Sequence, residues 1–112
     1  MTKILLFAYR DFGFACLEYL LEQNENVIGL FTHNDAPSDN IWYPSIAKLA
    51  QDNDIPVYIY DKLDNPEVSD LLNELAADLI ISSYYRTMIP MEILNVAPLG
   101  AFNLHGSYLP AY

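Results

Sequence analysis

The stretch Ile4-Leu-Leu-Phe-Ala-Tyr-Arg-Asp-Phe-Gly-Phe-Ala-Cys-Leu-Glu-Tyr-Leu-Leu-Glu-Gln-Asn-Glu-Asn-Val-Ile-Gly-Leu-Phe-Thr32 decides the fold. Residues 4–9 form a short continuous apolar run, the pattern of a strand buried on both faces. Tyr9-Arg10-Asp11 interrupts the run, and after Asp11-Phe-Gly13 residues 14–23 carry Ala15, Leu17, Tyr19, Leu20 and Leu21 as a broad apolar helical face. Residues 27–32 supply a second strand. A strand, a helix and a strand joined this tightly make a parallel β-α-β unit with a right-handed crossover.

The same alternation continues to the end of the chain. Residues 33–40 contain Asn, Asp, Pro and Ser and predict a loop. Pro44-Ser45 opens a helix to about residue 52, with Ile46, Ala47, Leu49 and Ala50 turned inward. Residues 55–59 are strand-like, and Pro56 places that strand at a sheet edge or its own beginning. Asn65-Pro66 starts a helix with Val68, Leu71, Leu72 and Leu75 at spacings of three and four. Residues 79–82 form a fourth strand, 91–94 a short helix and 100–104 a fifth strand. The expectation is an α/β, Rossmann-like parallel sheet with helices on both faces.

At 112 residues the chain suffices for one domain. A hydrophobic fraction of 53% against 18% charged residues excludes a disordered chain. Fifteen acidic and five basic residues give a net charge of −10, and Lys3, Arg10, Lys48, Lys62 and Arg86 are scattered. Long-range attraction to nucleic acid or an anionic membrane is therefore disfavoured and neither is expected as a partner, although a small anionic ligand needs only one Arg and some backbone N–H groups. No run approaches the ~20 apolar residues of a membrane span, and the first apolar run is too short for a signal peptide. Cys16 is the only cysteine and sits among Phe14, Ala15 and Leu17 as a small apolar helix residue. The expected location is cytoplasmic.

Ligands of such sheets gather beyond the carboxyl ends of the strands. The turn Ala8-Tyr-Arg-Asp-Phe-Gly13 holds a single glycine, whereas a dinucleotide pyrophosphate needs several, so NAD and FAD are disfavoured there. Asn103 and His105 are two apart, so on an extended strand they project from one face. An amide can hold a developing oxyanion, and an imidazole can carry a proton near neutral pH. A purely structural hydrogen bond is the competing reading of the histidine. Ser83-Tyr-Tyr-Arg-Thr-Met-Ile89 follows the fourth strand with aromatics suited either to a planar heterocycle or to the core. His33-Asn-Asp35 has no second His or Cys nearby and suits a turn better than a metal site. Trp42-Tyr43 fits a core cover and a cleft wall equally.

At Asn103-Leu-His-Gly-Ser-Tyr-Leu-Pro110 the chain resembles the formyltransferases that use 10-formyltetrahydrofolate. It is more closely similar to the branch found in bifunctional polymyxin-resistance enzymes of lipid A modification. That branch formylates UDP-4-amino-4-deoxy-L-arabinose. The matching stretches are Phe7-Ala-Tyr9 with Asp11 and Gly13, Phe31-Thr-His33, Ile55-Pro-Val-Tyr58, Tyr84-Tyr-Arg86 with Ile89, Ala97-Pro98 and Gly100-Ala-Phe-Asn-Leu-His-Gly-Ser107. The resemblance implies that His105 is the catalytic proton shuttle and Asn103 the oxyanion donor. It assigns Arg86, Thr87, Met88 and Ile89 to the folate co-substrate, and Tyr9 and Ser107 to the acceptor side. The implied partner is a small amino sugar nucleotide, and no metal is implied. Methionyl-tRNA as acceptor fits an acidic chain poorly.

The resemblance covers residues 1–112 as the N-terminal portion of a formyltransferase catalytic domain, ending after the fifth strand. Ala111 stands where the family commonly has lysine, and Tyr108 where it has leucine. The family's catalytic aspartate lies downstream of the motif and has no counterpart here. The expectations are therefore very weak turnover by the isolated chain and an unpaired side on the fifth strand, which invites self-association or continuation into further chain. A non-catalytic ligand-binding fragment is the alternative from a different class.

Overall fold

The central strand shows why the chain folds as it does. In the computed structural model, which describes residues 2–33, 45–60, 62–83 and 89–104, β1 (Lys3–Ala8) runs through the middle of a parallel five-stranded sheet. Its residues from Ile4 to Ala8 are all buried, since the apolar run meets helices on both faces. The elements follow as α1 (Arg10–Glu22), β2 (Asn26–Thr32), α2 (Ile46–Asp52), β3 (Val57–Ile59), α3 (Pro66–Leu75), β4 (Leu79–Ser83), α4 (Met91–Leu94) and β5 (Ala101–Leu104). The strand order is β3-β2-β1-β4-β5, and every pairing is parallel.

Period-two alternation sorts the strands' side chains into two cores. Ile4, Leu6, Ala8 and Leu30 pack with Leu17 and Leu20 of α1 and with Ile46 and Ala50 of α2. Leu5, Phe7, Phe31 and Ile80 pack on the other face with Val68 and Leu72 of α3 and Ile93 of α4. Each fully buried Leu, Ile or Phe contributes about 1.5–3 kcal/mol by leaving water. The expected α/β sheet with helices on both faces is what the chain forms. Among the described residues no helix is long and apolar enough to cross a membrane.

Local signals set most of the boundaries. Ser45 caps α2 by accepting from the Lys48 N–H, and Asn65 caps α3 by accepting from Val68 N–H at 2.9 Å, with Pro66 in the first helical turn. Pro56 stands just before β3, which is an edge strand, and its carbonyl accepts from Leu30 N–H at 2.9 Å. Two boundaries differ from the sequence-based expectation by more than one residue. Ile55 is not in the strand, because its N–H closes the end of α2 on the Ala50 carbonyl at 2.8 Å. Helix α1 begins at Arg10 rather than residue 14, so Asp11-Phe-Gly13 is its first turn instead of a loop. The reason is contact: a Cβ on Gly13 would lie 3.0 Å from Ala8 Cβ and 3.3 Å from Ile46 Cδ1. Glycine here permits close approach of helix to strand and does not end a helix.

Two outcomes follow from this packing. Gly13→Ala gains about 1 kcal/mol of helix propensity but overpacks against an immovable central strand at a cost of about 1–3 kcal/mol. The expected result is a lower urea midpoint with an unchanged m-value; a raised midpoint would contradict the close approach. Cys16 on α1 is half-buried against the first core, and burial pushes its thiol pKa up. Its alkylation by iodoacetamide at pH 7.5 should be slow in the folded chain and accelerate with unfolding in urea. Equal rates in both states would show an accessible thiol.

Candidate active site

All five strands are parallel, so their carboxyl ends lie at one end of the sheet, and strand order reverses between β1 and β4. Tyr9 follows β1 at this end, His33 follows β2, Ser83 ends β4, and Asn103 lies on β5. The Tyr9 N–H donates to the Ser83 carbonyl at 3.2 Å and extends the β1–β4 pairing.

Register makes one row across the sheet. Tyr58, Phe31, Phe7, Ser82 and Asn103 are successive partners on β3, β2, β1, β4 and β5. Directly paired residues project from one face, so the row belongs to the α3/α4 side. Its first part is aromatic: Phe7 and Phe31 stack with centroids 4.6 Å apart, and Phe31 and Tyr58 lie 5.1 Å apart. Its last part is polar. The Ser82 hydroxyl donates to Asn103 Oδ1 at 3.0 Å in a half-buried setting.

Asn103 therefore sits on the carboxyl-end strand residue expected of it, on the same face as Ala101, which packs against the second core. Ile89 packs against that core as well, so these two predicted residues share one side of the sheet. Tyr9 is 1% exposed, and its ring meets the His33 imidazole edge-on with centroids 5.2 Å apart. It lines the interior at the end of β1 and presents no open surface. His105, Arg86, Thr87, Met88 and Ser107 lie outside the described residues, as does the Trp42-Tyr43 pair.

The residue that sequence reasoning missed is Ser82. One signal was available: a serine at the end of the otherwise apolar strand run Leu79-Ile-Ile81, at the end of the sheet where ligands gather. Among the described residues, surface depressions of about 130 Å³ beside Leu72 and Ile93 and about 250 Å³ beside Phe14 and Leu49 lie elsewhere. Neither is lined by Tyr9, Ile89 or Asn103, and both fall below the ~300–1,000 Å³ usual for small-molecule sites. Among the described residues no cluster of three His, Cys, Asp or Glu could hold a metal ion.

Solved structures share this architecture. Phosphoribosylglycinamide formyltransferase from Streptococcus pneumoniae TIGR4 matches with a TM-score of 0.64 at 20% identity, over 98% of this chain and 59% of that one. Glycinamide ribonucleotide transformylase 1 from Geobacillus kaustophilus matches with a TM-score of 0.68 at 19% identity, over 98% and 61%. Phosphoribosylglycinamide formyltransferase from Anaplasma phagocytophilum gives 0.69 at 18% identity, over 97% and 52%. The chain thus spans less than two thirds of the length of each, and at these identities the likeness establishes the fold. The comparisons reach the family level and do not single out the polymyxin-resistance branch. The profile described as formyl transferase matches residues 10–112, through Asn103 and His105, and the chain belongs to the formyl transferase family.

Proposed function

We propose that this chain is the folate-side part of an enzyme that moves a formyl group from 10-formyltetrahydrofolate to a primary amine on a phosphorylated sugar. The observation that carries the reading is the family match through Asn103-Leu-His105, with Asn103 at the carboxyl end of the sheet. In the proposed reaction the acceptor nitrogen attacks the formyl carbon, and the carbonyl oxygen becomes an oxyanion facing the Asn103 amide. His105 takes the proton released by the attacking amine. Collapse breaks the bond from the formyl carbon to the folate nitrogen, and that nitrogen regains a proton. The products are the N-formyl acceptor and tetrahydrofolate. The backbone of Thr87, Met88 and Ile89, with Arg86 beside it, would hold the pterin. Ser107 is assigned to the acceptor, and the buried Tyr9 supports the floor of that side.

Two acceptors compete within the class. The stretches Phe7-Ala-Tyr9 and Phe31-Thr-His33 favour a UDP-linked 4-amino-4-deoxy-L-arabinose. The names of the similar solved enzymes favour glycinamide ribonucleotide. Both present a primary amine close to a sugar phosphate.

Calorimetric titration of the 112-residue chain with 5-formyltetrahydrofolate is expected to saturate and to weaken in Met88→Pro, which removes a backbone N–H. A folded chain that binds none would remove the folate half-site. Assay of the full-length gene product with 10-formyltetrahydrofolate and each acceptor should give turnover with one of them; turnover with neither rejects the acceptor class. In that protein Asn103→Ala is expected to lower kcat by about 100-fold or more, as removing an oxyanion donor does elsewhere. A change confined to KM would reject the oxyanion role.

A further inference from the structure

We infer that Ser82 is a positioning residue that sets which branch of the Asn103 amide faces the reacting carbonyl. This rests on the formyl-transfer reading above and adds to it a residue on another strand. The amide is planar, with an acceptor oxygen on one branch and two N–H donors on the other, and its terminal torsion is broad and roughly two-fold. A developing oxyanion is stabilised by the donor branch and repelled by the oxygen lone pairs. Catalytic value therefore depends on the orientation of the amide as well as its presence.

The sheet supplies that choice. Ser82 and Asn103 are direct register partners on β4 and β5, so their side chains leave the sheet side by side. The Ser82 Oγ–H occupies the Oδ1 branch at 3.0 Å, which turns the Nδ2 donors to the other side of the side chain. The hydroxyl itself is confined. Its strand neighbour in the same row is Phe7, which is fully buried and stacked on Phe31, and offers it no competing acceptor from its side chain. The strand pairing of β4 with both β1 and β5 fixes the Ser82 Cα, so the hydroxyl acts from a rigid base. The pair also sits where water is partly excluded, which strengthens the bond.

The test has two readouts. In the 112-residue chain, the Asn103 Cγ and side-chain Nδ2 resonances should move in Ser82→Ala and return toward the original positions in Ser82→Thr, which keeps a hydroxyl. Unmoved resonances in a folded Ser82→Ala overturn the inference. In the full-length gene product, Ser82→Ala should lower kcat about tenfold with KM unchanged, the effect of one neutral hydrogen bond on the barrier. Ser82→Thr should restore most of it, and Ser82→Ala should cost little further in an Asn103→Ala background. Equal losses in both backgrounds, or a loss in KM alone, overturn the positioning role. If Asn103→Ala itself keeps normal kcat, the functional reading fails instead, and the resonances still decide whether Ser82 orients the amide.

Discussion

Burial of β1 on both faces is the constraint on which the rest of the structure depends. Ile4, Leu5, Leu6, Phe7 and Ala8 have no solvent-facing side, so a layer of helices must cover each face. That requirement sends α1 and α2 to one side and α3 and α4 to the other, and it keeps every connection a parallel crossover. It also places the reversal of strand order beside β1, between β1 and β4, where the carboxyl ends diverge. The hydrophobic requirement and the location of the candidate site are thus one fact seen at two scales.

The row from Tyr58 to Asn103 shows how a sheet built for burial can end in chemistry. Three aromatic side chains lie in contact across β3, β2 and β1, Phe7 stacked on Phe31 and Tyr58 tilted against it, and the next two positions are a hydroxyl and an amide. The row's inner part is stiff because Phe7 and Phe31 are fully buried and interlock with the surrounding core side chains. The polar part inherits that stiffness through β4. A group on an edge strand would otherwise be the least well-held part of a sheet, and here it leans on one of the best-held.

The local code for this fold was largely legible in the chain. Residues 4–9 announced a doubly buried strand, Ser45 and Asn65-Pro66 announced helix starts, and Pro56 announced an edge. Where the reading failed, one residue type carried two meanings. Gly13 suggested a turn, yet it serves the close contact of α1 with Ala8, and that contact exists only after the chain has folded. Ile55 suggested a strand, yet its N–H is taken by α2. Ala76 ends α3 with a positive φ of 50° and gives no composition signal at all. For the candidate site, Asn103 was singled out by its two-residue spacing to His105, a pattern readable in the chain alone. Ser82 was not, because its link to Asn103 spans 21 residues and exists only through the register of two strands.

The register of β5 has a consequence for how such a protein is lost. Its start is tied by the Leu99 N–H to the Asp78 carbonyl at 2.9 Å and by the Ile80 N–H to the Gly100 carbonyl at 3.1 Å, with Gly100 at a φ of 106° that side chains rarely adopt. A slip by one residue at this edge would set Phe102, now 46% exposed on the opposite face, opposite Ser82 in place of Asn103. The first core holds no described residue of β5, whereas the second would exchange Ala101 for the bulk of Phe102. One inserted codon ahead of Ala101 would therefore part the Ser82 hydroxyl from the Asn103 amide without touching the residues that build the first core, so the damage would fall on the strand that carries the candidate site.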